Sequence, residues 1–423
     1  MTRRKLIGGA VLGAALLGVG LWLGLYRKPT PIRLGLLHSL TGPMAISEKP
    51  LVDAELMAIQ ELNDAGGLLG RPVEAVVADG ASDWSKFALE AERLITTEKV
   101  TGMVGCWTSA CRKTIRPVVE KYDSLLIYPM AYEGLEISGN LIYTGAAPNQ
   151  QIVPALKWSL DNLGRRVFLV GSDYVWPHAV NEIIRDQIGA LEGQIVGEEY
   201  VFFGSQDVAD LIAKIRETKP NVVISTIAGD SNFAFYRSLR QAGLDPQHCP
   251  VVSLSIGESE LRALNATDVS GHYSAWGYFQ SIRRPENQAF VQRFRTRYGM
   301  DRVTSDVVEA AYFSVLLWGK AVDQAGVTDI GQVRELMLGV SLNAPEGVVT
   351  VDPSTRHTWR SFNMGQIRPD GQIDIIWSAE HPIRPVPYPR TRSRMEWDQY
   401  LARLYQGWGN SWSNLVAPER GGR

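Results

Sequence analysis

From residue 32 onward, short apolar runs alternate with amphipathic stretches. IRLGLLHS reads as a strand, and LVDAELMAIQELNDAGG reads as a helix stopped by Gly66 and Gly67. VEAVVADG is the next strand and SKFALEAERLITTEK the next helix. VTGMVGC, a helix from about Ala110 to Tyr122, and SLLIYPM continue the alternation. A second series opens near Gln151, with VPALKWSLDNLG, VNEIIRDQIGAL, VADLIAKIRE and FAFYRSLRQAG as helices. Its strands are RVFLVGSDY, QIVGEEYV, NVVISTIAG and CPVVSLSI. Strands that alternate with helices imply parallel sheets covered on both faces. The expected fold is therefore α/β, with two doubly wound parallel-sheet lobes joined by a hinge and preceded by an N-terminal hydrophobic helix.

Beyond residue 275 the pattern changes. PENQAFVQRFRTRYG and SDVVEAAYFSVLLWGKAVDQAG read as helices, and APEGVVTVDPSTR and FNMGQIRPDGQIDIIWS as hairpin-like strands, with RPDGQ as a turn. The expected division is residues 31–150 plus about 277–340 for the first lobe and 151–276 plus about 341–385 for the second. Residues 386–423 are expected to form an irregular strap with a short terminal helix.

The first 28 residues do not fit either lobe. Arg3, Arg4 and Lys5 precede about 20 uncharged residues, long enough to cross a bilayer. Positive charge ahead of that run keeps the start of the chain inside and sends the remainder out. Leu21, Trp22, Leu23 and Tyr26 stand where a cleaved signal carries small residues, and no lipobox cysteine is present. An uncleaved anchor is the favoured reading over a removed signal peptide. Either reading makes the body periplasmic or otherwise extracytoplasmic.

Composition narrows the function classes. A chain of 423 residues with 45% hydrophobic and 21% charged content is a globular protein too long for one ordinary core. A net charge of -2 gives no electrostatic case for nucleic acid. Three cysteines, Cys106, Cys111 and Cys249, lack the spacing of a zinc site or a disulfide framework. Buried free thiols are expected in preference to a Cys106–Cys111 bridge. The six histidines are scattered, G-x-S-x-G is absent, and there is no phosphate loop. No metal, cofactor or catalytic residue is expected, and the chain does not read as an enzyme.

In open parallel sheets ligands lie beyond the carboxyl ends of the strands. The residues there include Trp107, Thr108 and Ser109; Tyr128, Met130, Tyr132 and Glu133; Asp173, Tyr174 and Trp176; and Asp230 and Ser231. Aromatics and hydroxyls dominate, and Arg and Lys are missing, which suits a small uncharged ligand boxed by rings. Ordinary roles compete for several of them. Ser109 makes a good helix cap, Trp107 and Tyr128 are good core residues, and Asp173 can tie down its own turn. Asp230 is harder to dismiss, because an acid directly after an all-apolar strand needs a partner.

The motifs LGLLHSLTGPMA, MAIQELNDAGGLLGRPVE, GCWTSACRK, YPMAYEG, YTGAAPNQQ, GSDYVWP, STIAGDSN and SIGESE stand in an order that resembles the urea- and short-chain-amide-binding proteins. Those are type I periplasmic binding proteins: the substrate-binding components of urea ABC transporters and the amide sensor of an amidase operon. The resemblance spans roughly residues 31 to 388. It implies closure of two lobes on a small neutral ligand, urea or a short-chain amide. Trp107, Ser109, Tyr128 and Met130 would line the first lobe, and Tyr174, Trp176, Asp230 and Ser231 the second. Met130 stands where the amide sensor has a threonine, and Trp176 where the family has a tyrosine. The implied partner is an ABC permease or, for a membrane-tethered sensor, a signalling protein. Self-association into a homo-oligomer is compatible with the sequence.

Overall fold

Seven residues, Ile32–His38, form β1, flanked on both sides by parallel strands. The computed structural model describes residues 29–414. The anchor-or-signal reading of residues 1–28 lies outside the described residues, and among those described no helix is long and apolar enough to cross a membrane. β1 pairs with β2 (Val73–Asp79) and β3 (Met103–Gly105), and β4 (Leu126–Tyr128) and β5 (Leu141–Tyr143) extend the sheet. Its order is β2-β1-β3-β4-β5, every pair parallel. The crossovers are α1 (Ala45–Asp64), α2 (Trp84–Thr96) and α3 (Ser109–Lys121). Asp83 starts α2 by accepting from the N–H groups of Ser85 and Lys86, which explains a helix start inside a polar loop.

The second sheet has seven strands. β6 (Arg166–Ser172), β7 (Gln194–Val201), β8 (Val222–Thr226), β9 (Val251–Ser253) and β10 (Tyr273–Trp276) are parallel. Their helices are α4 (Ile152–Asn162), α5 (Val175–Ile188), α6 (Ala209–Thr218), α7 (Ser231–Gln241), α8 (Glu258–Leu261) and α9 (Ala266–Val269). The chain then returns to the first lobe as α10 (Pro285–Tyr298), α11 (Asp306–Ala325) and α12 (Ile330–Leu336). Tyr312 donates to Glu61 at 2.6 Å and Arg293 pairs with the same carboxylate at 2.7 Å, which seats these helices on α1.

β11 (Ser341–Ala344), β12 (Gly347–Val351) and β13 (Thr358–Trp359) make a small antiparallel sheet. It lies on the first lobe, because Tyr143 at the end of β5 bridges to His357 and its N–H donates to Arg356 O at 2.9 Å. Of the stretch 341–385 expected in the second lobe, the part that joins the second sheet is the antiparallel hairpin β14 (Asn363–Ile367) and β15 (Ile373–Ser378). Hairpin periodicity alone cannot tell which neighbouring sheet receives a hairpin.

Three chain crossings link the lobes, and they meet at a buried guanidinium. Arg360, on the third crossing, donates from Nη1 to the Thr144 carbonyl of the first at 2.8 Å. Its Nε reaches Glu346 at 2.7 Å and its Nη2 reaches Asp306 at 2.8 Å. Asp306 also accepts from the N–H of Tyr278, on the second crossing, at 2.9 Å. Burial alone would lower the pKa of Arg360, but Asp306, Glu346 and Glu309 outweigh it and hold the group charged. Replacing Arg360 with methionine leaves three buried carboxylates without their cation, and is expected to cost about 3–5 kcal/mol. Guanidinium chloride denaturation at pH 7 measures this loss; a change below 1 kcal/mol would contradict it.

Candidate functional site

The carboxyl end of β3 turns sharply into α3. Gly105 has φ +145°, and a Cβ there would lie 2.1 Å from the Leu37 carbonyl oxygen, so only glycine passes. Thr108, not Ser109, caps the helix by accepting from the Cys111 N–H at 3.1 Å. The free-thiol expectation for Cys106 and Cys111 is corrected: the two are joined as a disulfide across the turn that carries Trp107, Thr108 and Ser109. A cysteine in the first helical turn faces back toward the strand end, a proximity that spacing without a helix boundary does not show. Cys249 is free and buried.

The first-lobe wall is a tight polar cluster under aromatic rings. The Tyr128 hydroxyl donates to Trp107 O at 2.5 Å, fixing the turn. Met130 is buried where its backbone meets Gly145, whose position would not admit a Cβ. The Ser109 hydroxyl donates to Glu133 and accepts from Arg112 Nη1 at 3.0 Å. Arg112 also donates to Glu133 and Glu136, each at 3.0 Å. Its guanidinium carbon lies 4.7 Å from the Tyr128 ring centre and 4.2 Å from that of Tyr132.

A cation therefore stands behind the site, contrary to the expectation of none. Arg112 lies one turn into α3, beyond the strand-end residues that were considered. Burial would lower its pKa, but Glu136 and Glu133 outweigh that and raise it. Burial would likewise raise Glu136, but Arg112, Lys113 and Arg116 hold its carboxyl well below the usual range. Arg112 is thus fully buried and paired within the protein through Nε, Nη1 and Nη2. The signal for it was present in the sequence as the CRK of GCWTSACRK.

The second lobe brings its residues to the same seam. Tyr174 precedes α5, and burial raises its hydroxyl pKa well above the usual phenol value, reinforced by nearby Tyr128 and Glu133 of the first lobe. Its ring packs edge-on against Phe203 at 5.8 Å and lies 6.3 Å from that of Trp176. The loops after β6 and β8 are joined where the Ala228 N–H donates to Ser172 Oγ at 3.0 Å, so Trp176 and Asp230 belong to one sheet edge. Gly229, at φ +65°, lies against the Pro43–Met44 turn of the first lobe. Gly229 thus meets that turn, while Tyr174 lies near Tyr128 and Glu133. Asp173 has the local role expected of it, pairing with His178 at 2.8 Å.

Three buried polar atoms at this edge have no hydrogen-bond partner among the described residues: Trp176 Nε1, Asp230 Oδ1 and Ser231 Oγ. Burial raises the Asp230 pKa. A strap crosses the seam. The Val175 N–H donates to Trp412 O at 2.9 Å, and the Asn414 N–H to Asp173 O at 3.1 Å. From the first lobe, Trp84 Nε1 donates to Ser413 Oγ at 3.2 Å and Lys113 sits over the Trp412 ring at 5.1 Å. Sequence reasoning missed Trp84 and Phe203, whose edge-on contact at 5.8 Å also spans the lobes; helix and strand periodicity carries no sign of a partner in the other lobe.

Two parallel-sheet lobes, three crossings and polar groups gathered between facing carboxyl edges define a hinged solute-binding protein. The chain belongs to the family of the periplasmic binding protein domain, whose profile matches residues 32–394. Among curated relatives, the leucine-, isoleucine-, valine-, threonine-, and alanine-binding protein of Pseudomonas aeruginosa is 25% identical over 330 residues, covering 76% of this chain and 86% of that protein. A shorter match, 37% identical over 118 residues, covers 28% of this chain and only 22% of a protein named limonene hydroxylase from Geobacillus stearothermophilus.

Among solved structures, a solute-binding protein of an ABC transporter from Rhodopseudomonas palustris, in complex with 3,4-dihydroxybenzoic acid, has TM-score 0.76 at 18% identity and covers 84% of this chain and 99% of that one. The branched-chain amino acid binding protein LivJ of Streptococcus pneumoniae, with isoleucine, has TM-score 0.73 at 20% identity and covers 83% and 100%. At these identities the likeness shows the fold.

The bridge between Cys106 and Cys111 closes a short loop in the unfolded chain, so its reduction is expected to lower stability by about 2 kcal/mol. Comparing denaturation midpoints of the wild type and a Cys106→Ser/Cys111→Ser variant, with and without dithiothreitol, measures it. Only the wild type should respond to the reductant.

Proposed function

We propose that the protein captures urea or a short-chain aliphatic amide outside the cytoplasm, by closure of its two lobes, and delivers it to an ABC permease. The observation that carries this reading is the set of unpartnered atoms on the second lobe. Asp230 Oδ1 accepts, Trp176 Nε1 donates, and the Ser231 hydroxyl does either. A primary amide is their complement, with N–H donors for the carboxylate and one carbonyl for the indole. Rings at Trp107, Tyr128, Tyr174 and Trp176 exclude water, which raises the value of each hydrogen bond.

A free amino acid fits less well. Its carboxylate needs an available cation, and the Arg112 guanidinium is fully buried and already paired with Glu133 and Glu136. The reading is one of binding without turnover: Ser231 Oγ has no hydrogen-bonded base among the described residues. The Arg3–Lys5 cluster ahead of a long apolar run favours a second reading, a membrane-tethered sensor that reports the same ligand to a signalling partner.

Asp230→Asn is expected to weaken urea or acetamide binding by about 1.5–3 kcal/mol, the usual range for a hydrogen bond to a charged group. Titration calorimetry showing equal affinity would remove Asp230 from the site. A thermal-shift panel of urea, formamide, acetamide, butyramide and leucine should show stabilisation by one or more of the first four and none by leucine. A clear leucine response would overturn the small-neutral-ligand reading.

A further inference from the structure

The wall behind Ser109 contains more charge than its packing role requires. Arg112, Lys113 and Arg116 converge on Glu133 and Glu136, both fully buried. Lys113 Nζ lies 3.5 Å from Glu133 and 3.3 Å from Glu136, and Arg116 Nη1 lies 3.4 Å from Glu136. Arg116 is further balanced by Glu120 at 3.2 Å on the exposed side. Glu133 is the carboxylate that joins Arg112 to Ser109. Its Oε1 takes Arg112 Nη2, and its Oε2 takes the Ser109 hydroxyl.

This fixes the polarity that Ser109 presents. A serine hydroxyl has one proton and two lone pairs. The proton goes to Glu133, one lone pair accepts from Arg112 and the Tyr128 hydroxyl lies beside the same oxygen, so Ser109 has no proton to offer a guest. An oxygen with no free proton repels a carboxylate oxygen. An amide and its parent acid share one shape, so ring walls cannot separate them, and the discrimination has to come from charge and hydrogen-bond polarity.

We propose that Glu133 is a specificity-determining residue: by cancelling the charge of Arg112 and taking the Ser109 proton, it makes the cleft reject carboxylates of the ligand's own size. The proposal rests on the reading of the cleft as a urea or amide site. Without Glu133, Ser109 is free to turn its proton outward, and three cations face one buried carboxylate.

The test is the ratio of acetamide to acetate affinity, measured by calorimetry on the whole protein at fixed pH and ionic strength. Wild type should bind acetamide and not acetate. Glu133→Gln should lower the ratio by about tenfold or more, the equivalent of one charge-assisted hydrogen bond. A folded Glu133→Gln variant with an unchanged ratio overturns the proposal, as does wild type that binds acetate as well as acetamide. The double variant Arg112→Gln/Glu133→Gln removes both opposed charges and should gain less acetate binding than Glu133→Gln alone; an equal gain overturns the part given to charge. Should Glu133→Gln fail to fold, Ser109→Ala carries the test, because deleting the oxygen that repels acetate must also lower the ratio, and an unchanged ratio there overturns the proposal. Wild type that binds neither urea nor any amide defeats the functional reading itself, an outcome separate from all of these.

Discussion

A single guanidinium holds the two halves of this protein in register. Arg360 touches Thr144, Glu346 and Asp306, and through Asp306 it reaches the Tyr278 N–H, so all three interlobe crossings converge on it. The surrounding Asp306, Glu309 and Glu346 are buried, and desolvation raises their pKa values. The pair energies in such a cluster compete with the cost of drying the ions, so its contribution is directional as much as stabilising. Its contacts fix the three crossings relative to one another.

The cleft lies between the lobes that those crossings join. Each lobe has a parallel sheet, and each sheet ends in loops whose polar groups are not satisfied by the strands themselves. On the first lobe the demand is met internally: Tyr128 is spent on Trp107, and Ser109 on Glu133 and Arg112. On the second lobe it is left open at Trp176, Asp230 and Ser231.

Much of the architecture was legible because periodicity reports local structure. The run IRLGLLHS became Ile32–His38, and the helix read from about Ala110 to Tyr122 became Ser109–Lys121. The strand-end rule located Trp107, Tyr128, Tyr174 and Asp230 at the edges facing the seam, because it depends only on chain direction in a parallel sheet. What stayed hidden depends on three-dimensional proximity. The Cys106–Cys111 bridge, the engagement of Arg112 by two glutamates, the seating of residues 341–359 on the first lobe and the Trp84–Phe203 contact all join segments that sequence patterns treat separately. Arg112 is the instructive case. It sits outside the strand-end window, yet it donates to Ser109 and pairs with both glutamates.

The order of the segments has a kinetic meaning. The hairpin Asn363–Ser378 completes the second sheet beside Tyr273–Trp276, and residues 412–414 reach the seam last of all. Neither lobe is a continuous stretch of chain, so neither can mature while its later strands are still being synthesised or threaded across a membrane. Pairings between distant segments close large loops and form slowly. During that interval the edge of the unfinished sheet is bare, a state that attracts chaperones and proteases. The contacts that residues 412–414 make with both lobes form only when that segment arrives, so among the described residues the seam is tied last.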